Sequence, residues 1–113
     1  MNNLAALNCV TVPRDTPHLT DAEIAELKPQ VPDWELNAPN GEERLERVFK
    51  FKNFQESMAL AVKIGEAAEA EDHHPALLVE WGKLTVTWWT HSIKGLHKND
   101  FIMAAKTNEL AKG

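Results

Sequence analysis

The stretch that decides the fold of this 113-residue chain is Glu69-Ala70-Glu71-Asp72-His73-His74-Pro75. Proline disfavours helical backbone at the residue before it, so a helix carrying the glutamates is predicted to end near Asp72 or His73, with His74 extended. The two imidazoles then leave the chain in different directions. Glu69 lies four positions before His73, one helical turn away, so its carboxylate is predicted to hold that ring. These groups suit an acid/base site, and a solvated helix end with two surface histidines is the alternative.

Composition bounds the class of protein around this stretch. A chain of 113 residues with 43% hydrophobic residues fits one compact domain. Twelve basic and seventeen acidic residues give a net charge of -5 without any basic run, which argues against a nucleic-acid partner. No apolar run approaches the roughly 20 residues that cross a bilayer, and the start does not resemble a signal peptide. We therefore expect no membrane association and a cytoplasmic location.

Two segments precede the first predicted strand. Residues 1–18 mix prolines, polar residues and short apolar pieces without a period, and are predicted to be a leader that drapes over the domain or is only partly ordered. The leader holds the single cysteine, Cys9, which has no disulfide partner and is expected to be inert, and His18, which is given no chemical role. Thr20 to Glu23 reads as a capping box that starts a short helix ending before Pro29. Residues 19–113 form the predicted domain.

The next segment is predicted to be a strand pair followed by a long helix. Residues 34–37 read as a strand, 39–41 as a turn, and 45–51 as a second strand with alternating apolar residues. Asn53 is a suitable N-cap for a helix that delivers Glu69 to the histidines. The residues of that helix predicted to face the core are Phe54, Met58, Ala61, Val62, Gly65 and Ala68.

A second hairpin and a third helix complete the chain. Residues 77–81 and 84–91 are rich in β-forming residues and flank Gly82-Lys83, so a hairpin is predicted with His91 finishing its second strand. A polar group from His97 to Asp100 leads into a helix that ends near Leu110, where Asp100 suits the helix dipole. The order predicts an α+β domain, a single four-stranded antiparallel sheet with three helices packed on one face.

These residues together resemble the pterin-4a-carbinolamine dehydratase family, also known as the dimerisation cofactor of a homeodomain transcription factor. The resemblance covers roughly residues 20 to 110. It rests on Glu69-x3-His73-His74-Pro75, Trp81, Thr90-His91 and Asp100, together with Trp34 and the run Phe49-x-Phe51-x2-Phe54.

The resemblance implies a set of site residues. It makes His73, His74 and His91 the catalytic residues, and it implies substrate contacts from Glu69, Pro75, Thr90, Ser92, Ile93, Asp100 and Trp34. Two positions depart from the family's pattern. His97 stands where Ser or Thr is common, and Asn99 stands where a basic residue often precedes the aspartate.

The implied reaction is the dehydration of a 4a-hydroxytetrahydropterin to the quinonoid dihydropterin, which recycles the pterin used by aromatic amino acid hydroxylases. The step needs a proton delivered to the departing hydroxyl and another removed from N5, and histidines suit both. His73 or His74 is expected to handle one proton and His91 the other. No hydride moves, so no cofactor beyond the pterin substrate is implied. A homodimer or homotetramer, and coupling to a hydroxylase, are the expected partnerships.

Two alternatives remain at this point. Histidines near carboxylates also bind zinc, but adjacent histidines diverge in extended backbone and the His-x3-His spacing is absent, so no metal is expected. The second is a protein-interaction module, dimerisation or transcriptional cofactor, because an open edge strand of an antiparallel sheet can capture a partner.

Overall fold

The computed structural model describes residues 3–112, so Met1 and Asn2 of the predicted leader and Gly113 of the predicted domain lie outside the described residues. It contains four strands and three α-helices. In chain order these are α1 (Asp21–Leu27), β1 (Glu35–Asn37), β2 (Arg44–Lys50), α2 (Phe54–Glu71), β3 (Ala76–Glu80), β4 (Lys83–Trp88) and α3 (Lys98–Lys112). Three short 3₁₀ helices at Leu4–Ala6, Lys28–Gln30 and Pro39–Gly41 lie in the connections.

The four strands form one antiparallel sheet in the order β1-β2-β4-β3. Leu84, Val86 and Trp88 of the central strand β4 are fully buried, because they alternate onto the face that α2 and α3 cover. Ile24 of α1 joins the same core. The predicted α+β domain with three helices and one four-stranded antiparallel sheet is confirmed.

The predicted caps of α1 and α2 are both present. The Thr20 side chain accepts from the Glu23 amide, and the Glu23 side chain accepts from the Thr20 amide, which completes the capping box. The Asn53 side chain accepts from the Glu56 amide at 2.9 Å. Both helices therefore start where the sequence predicts.

The core face of α2 differs from the prediction. Phe54, Met58 and Val62 are 48%, 40% and 51% exposed, so this part of the predicted stripe faces outward. The residues that pack inward are Ser57, Leu60, Ala61, Ile64 and Ala68. Apolar residues lie on two neighbouring faces of α2, and helical periodicity alone does not decide which one the sheet covers.

The second hairpin turns one residue earlier than predicted. Glu80 pairs with Lys83, so the two-residue turn is Trp81-Gly82, and Gly82 adopts a φ of +76°. Such a φ suits glycine in a two-residue hairpin turn. Strand β4 ends at Trp88, and the prediction that His91 finishes this strand is therefore wrong.

The N-terminal segment packs against the domain along the described residues 3–18. Leu4 is 2% exposed within the core, and Lys106 Nζ donates to the Ala5 carbonyl at 2.8 Å. Leu19 continues this attachment, since its amide donates to the Leu96 carbonyl at 3.1 Å. Within the described part of the chain, each helix is too short or too polar to cross a membrane.

Candidate active site

The corner at the end of α2 orients the paired histidines. Asp72 adopts a left-handed conformation with φ 51° and ψ 43°. Its amide donates to the Glu69 carbonyl at 3.3 Å, and the His73 amide donates to the Ala68 carbonyl at 3.1 Å, the two bonds of a Schellman motif. The reversal at Asp72 ends the helical spacing before His73, so the two imidazoles project in different directions.

The first histidine turns inward. His73 is 9% exposed, and its Nε2 lies 2.7 Å from Oδ1 of Asp100, which is fully buried. Asp100 Oδ2 also accepts from the Thr90 hydroxyl at 2.8 Å and from the His97 amide at 2.9 Å. The His73 ring stacks on Trp88 with centroids 5.9 Å apart and 8° between the planes. Hydrogen bonding and stacking therefore fix this ring at both its edge and its face.

The second histidine turns outward and takes the carboxylate that the helical spacing assigned to its neighbour. His74 Nε2 pairs with Glu69 Oε2, and the two side chains are 51% and 77% exposed. The predicted pairing of Glu69 with His73 is therefore wrong. A one-turn separation brings side chains together only while the helix continues, and the helix ends at Glu71.

The third histidine lies in the turn that follows β4. His91 Nε2 lies 3.2 Å from the His74 carbonyl oxygen. The His91 ring stacks on Trp89 with centroids 4.2 Å apart, and the Arg44 guanidinium lies 3.9 Å from the centre of a Trp89 ring. Thr90 and Gly95 form a β-bridge that closes the turn. The exposed His91 imidazole is therefore held on one face by the Trp89 ring, which the Arg44 guanidinium contacts in turn.

The three histidines line one cleft of about 430 Å³. This volume is within the range of small-molecule sites. The lining residues are Cys9, Val10, Thr11, Val12, Glu71, Asp72, His73, His74, Thr90, His91 and Ser92. The structure therefore brings together five residues predicted for the site, namely His73, His74, Thr90, His91 and Ser92. Glu69 and Asp100 each hold one of these histidines.

Three other predicted contacts lie outside the cleft lining. Pro75 is half-buried between His74 and β3, and Ile93 is 7% exposed with its carbonyl against His18 Nε2. Trp34 is 1% exposed, packs edge-on against Phe49, and donates from Nε1 to Asn108 Oδ1 at 2.8 Å. The structure therefore gives Trp34 a core position and does not bring it to the histidines.

Comparison with known proteins identifies the family. The family described as pterin 4 alpha carbinolamine dehydratase matches residues 17–110. The chain belongs to this family. A crystal structure of a transcriptional coactivator/pterin dehydratase from Brucella melitensis superimposes with a TM-score of 0.75 and 33% sequence identity. That match covers 84% of this chain and 99% of the other.

The segment Cys9 to Val12 lines the cleft but precedes the part of the chain that matches the dehydratase family. Sequence reasoning missed it because an aperiodic segment carries no signal of where it docks. Burial, with a smaller contribution from the negative charge of Glu71, raises the pKa of the Cys9 thiol to about 12. The thiol is therefore protonated at neutral pH and is a poor nucleophile, as expected of an inert cysteine.

His97 caps α3 through its ring. Its Nδ1 accepts from the Asn99 amide at 3.0 Å, while its own amide donates to Asp100 Oδ2. This reciprocal arrangement resembles a capping box with imidazole as the acceptor. Burial lowers the pKa of His97, with Asp100 opposing the shift and His73 adding to it. A neutral ring keeps the acceptor that the cap requires.

His18 has a structural position in the loop that carries His91. Its Nε2 contacts the Ile93 carbonyl, and its ring lies so close to Gly95 that an added Cβ would come within 2.9 Å. Glycine at 95 thus makes room for the imidazole. Among residues 3–112, no group of three or more His, Cys, Asp or Glu side chains has the arrangement of a metal site.

Proposed function

We propose that this protein dehydrates 4a-hydroxytetrahydropterins to quinonoid dihydropterins. The observation that carries the proposal is the cleft in which a buried, doubly fixed His73 meets two exposed histidines, His74 and His91. Membership of the dehydratase family supplies the reaction class. A flat heterocycle fits between these groups, and a lining of imidazoles, hydroxyls and carboxylates suits its polar edges.

The histidines divide the two proton transfers in this proposal. The Asp100 carboxylate can only accept, so His73 donates to it from Nε2 and keeps Nδ1 free for the substrate. His73 or His74 serves one proton and His91 the other, one delivering a proton to the 4a-hydroxyl and one removing the proton from N5. Positioned acid/base groups of this kind contribute about 10²- to 10⁴-fold each. The pterin is the substrate, and the reaction as proposed requires no further cofactor.

The product is the form that a reductase returns to tetrahydropterin. We accordingly propose that the protein works in the cytoplasm beside an aromatic amino acid hydroxylase, which generates the carbinolamine. This coupling is a chemical one, since the hydroxylase product is the dehydratase substrate.

Self-association is a second part of the proposal. The edge strands of the sheet are β1 and β3, and Leu78 on β3 is 57% exposed. The outward residues of α2, Phe54, Met58 and Val62, add apolar surface elsewhere. Exposed apolar side chains beside an open strand edge favour a homodimer or homotetramer. The same surfaces, and the description of the Brucella protein as a transcriptional coactivator, favour protein interaction as the second candidate function.

The deciding experiment generates the carbinolamine with an aromatic amino acid hydroxylase and follows its dehydration with and without this protein. Acceleration without added metal, unchanged by a chelator, is the expected result. Activity that a chelator abolishes and zinc restores would contradict the metal-free mechanism. Light scattering at micromolar concentration tests assembly, and a folded protein that leaves the spontaneous rate unchanged would favour the interaction module.

A further inference from the structure

The cleft has one wall that the family match does not contain. Cys9, Val10, Thr11 and Val12 are four of the eleven residues that line it, and the matched region begins at residue 17. Val10 is 62% exposed although the segment around it is tethered. A large apolar side chain held open on the rim of a cleft is available to a bound molecule.

The wall is fastened to residues that neighbour the cleft histidines or their carboxylate partner. Asn99, at the start of α3 and 2% exposed, accepts from the Val10 amide at 3.1 Å and donates to the Val10 carbonyl at 2.7 Å. The Cys9 amide donates to Glu71 Oε1 at 2.7 Å, and the Ser92 hydroxyl donates to the Val12 carbonyl at 3.3 Å.

The chemistry of the Asn99 side chain suits this double contact. Its amide carries one donor group and one acceptor, and it uses both on Val10. A lysine or arginine has no acceptor atom and could not bond both the amide and the carbonyl of one residue.

Apart from the histidines and Cys9, the ionisable side chains that line the cleft are acidic. Glu71 and Asp72 line the cleft, and none of its lining residues is lysine or arginine. The Glu71 carboxylate is partly satisfied by the Cys9 amide, while Asp72 is exposed. An anionic group brought to this rim meets two carboxylates, with no lysine or arginine in the cleft lining to bind it, and such an arrangement disfavours an anionic ligand.

We propose that Cys9–Val12, clasped by Asn99, is a substrate-contacting wall that selects pterins with short, uncharged C6 substituents against those with anionic tails. This inference rests on the proposed dehydratase function, since it concerns the same cleft. The histidines act on the reacting part of the ring, while the wall and the adjacent carboxylates meet its substituent. Asn99 is a positioning residue, because it acts through Val10.

The test measures binding by calorimetry with two stable probes on the full-length protein. 7,8-Dihydrobiopterin carries an uncharged diol at C6, and 7,8-dihydrofolate carries a substituent that ends in glutamate. The wild-type protein should bind dihydrobiopterin at least about tenfold more tightly, the effect of an energy difference of about 1.4 kcal/mol. Equal affinities in the wild type would overturn the proposal.

Substitutions on the wall make the test specific. Val10→Lys should tighten the binding of dihydrofolate about 3- to 10-fold at low salt and by less at high salt. The affinity for dihydrobiopterin should stay within about twofold of the wild-type value. Ala6→Lys adds the same charge to an exposed part of the same segment outside the cleft lining, and should change neither affinity. Val10 is exposed, so this variant keeps the test valid even if changes at buried Asn99 impair folding.

Removing the two hydrogen bonds from Asn99 to Val10 should reduce the selectivity between the two probes. Asn99→Ala should weaken the binding of dihydrobiopterin about fivefold or more, because the wall loses both bonds at Val10. The ratio of the dihydrobiopterin and dihydrofolate affinities should fall as well. The matched control is Asn53→Ala, which removes a hydrogen bond at the far end of α2 from the cleft without changing any charge, and should preserve both affinities. A wild-type protein that binds neither probe would overturn the proposed function as well. Binding of dihydrobiopterin with a preference that neither wall variant changes would overturn the wall alone.

Discussion

His73 and His74 are adjacent in sequence, each paired through Nε2 with a carboxylate, yet their surroundings are opposite. The side chains of the His73–Asp100 pair are 9% and 0% exposed, whereas those of the His74–Glu69 pair are 51% and 77% exposed. Exposed ion pairs contribute about 0–1 kcal/mol, while breaking a buried pair costs about 3–5 kcal/mol. The comparison teaches that the left-handed backbone of Asp72 is enough to place one imidazole in a buried pair and the next imidazole in an exposed pair.

The largest expected effect is on turnover. His73→Ala should lower the dehydration rate by about 10²- to 10⁴-fold, and His73→Ala with His91→Ala should leave little above the spontaneous rate. His74→Ala should cost less, because that ring is exposed and less constrained. Rates per active site, with folding checked by circular dichroism, make the measurement. If His74→Ala lost as much activity as His73→Ala, the difference in burial between the two histidines would have no consequence for turnover.

The second-largest expected effect is on the stability of the protein, which removal of the two carboxylates should change by different amounts. Asp100→Ala leaves His73, Thr90 and the His97 amide without their acceptor, and should lower the free energy of unfolding by about 3–5 kcal/mol. Glu69→Ala should lower it by less than about 1 kcal/mol. Urea unfolding of both variants checks the difference. Similar losses would show that burial does not separate the pairs.

A smaller change in stability is expected at Asp72, the residue that separates the two pairs. Asp72→Gly should raise the free energy of unfolding by about 0.5–1 kcal/mol, since glycine adopts the left-handed conformation without the steric cost of a Cβ. Thermal unfolding measures the gain. Asp72→Val provides the opposite control, because a β-branched residue is poorly suited to this φ and should destabilise the protein.

A small effect is expected on the pH dependence of stability, through His97 beside the buried pair. The pKa of His97 in the folded protein lies below its ordinary value of 6.5 because of burial. The unfolded chain therefore takes up this proton first, and stability should fall as pH drops below 6.5 until it passes the folded pKa. His97→Asn, which retains a capping oxygen, should flatten this slope in unfolding measured from pH 7 to 5. An unchanged slope would assign the dependence to other groups.

Turnover should be nearly unaffected by the two histidines outside the motif. His97→Ala should cost about 1 kcal/mol of stability through the lost cap, and His18→Ala should act through the loop at Gly95, each with little change in dehydration rate per folded site. A His97→Ala variant that stays folded but loses as much activity as His91→Ala would contradict the assignment of the third histidine.

The sequence predicted features that depend on local chemistry. The capping box at Thr20, the cap at Asn53 and the order of helices and strands along the chain follow from neighbours a few residues apart, and all are confirmed. The partner of Glu69 was predicted wrongly because helical spacing was carried past the point where the helix ends. Asp tolerates the left-handed conformation better than most residues, and this preference before a proline was the available signal.

Long-range features could not be read from the sequence. The bonds from Asn99 to Val10 join residues 89 positions apart, and the core face of α2 depends on which of two apolar faces the sheet covers. Trp34 illustrates the same limit, since a family pattern fixes its identity without saying that it lies in the core. Periodicity reports that a face is apolar, and only tertiary packing decides what that face meets.

The attachment of residues 4–10 to α3 has a consequence for the order of events during synthesis. Leu4, Ala5 and Val10 meet partners near residues 99–106, so about 90 residues must be translated before these contacts can form. At roughly 5–20 residues per second this delay is several seconds, during which the early segment lacks its partners on α3. The sheet and α2 are made before α3, so the first residues translated are among the last to find their places. The cleft around His73, His74 and His91 is therefore complete only after both the early segment and α3 have been added to it.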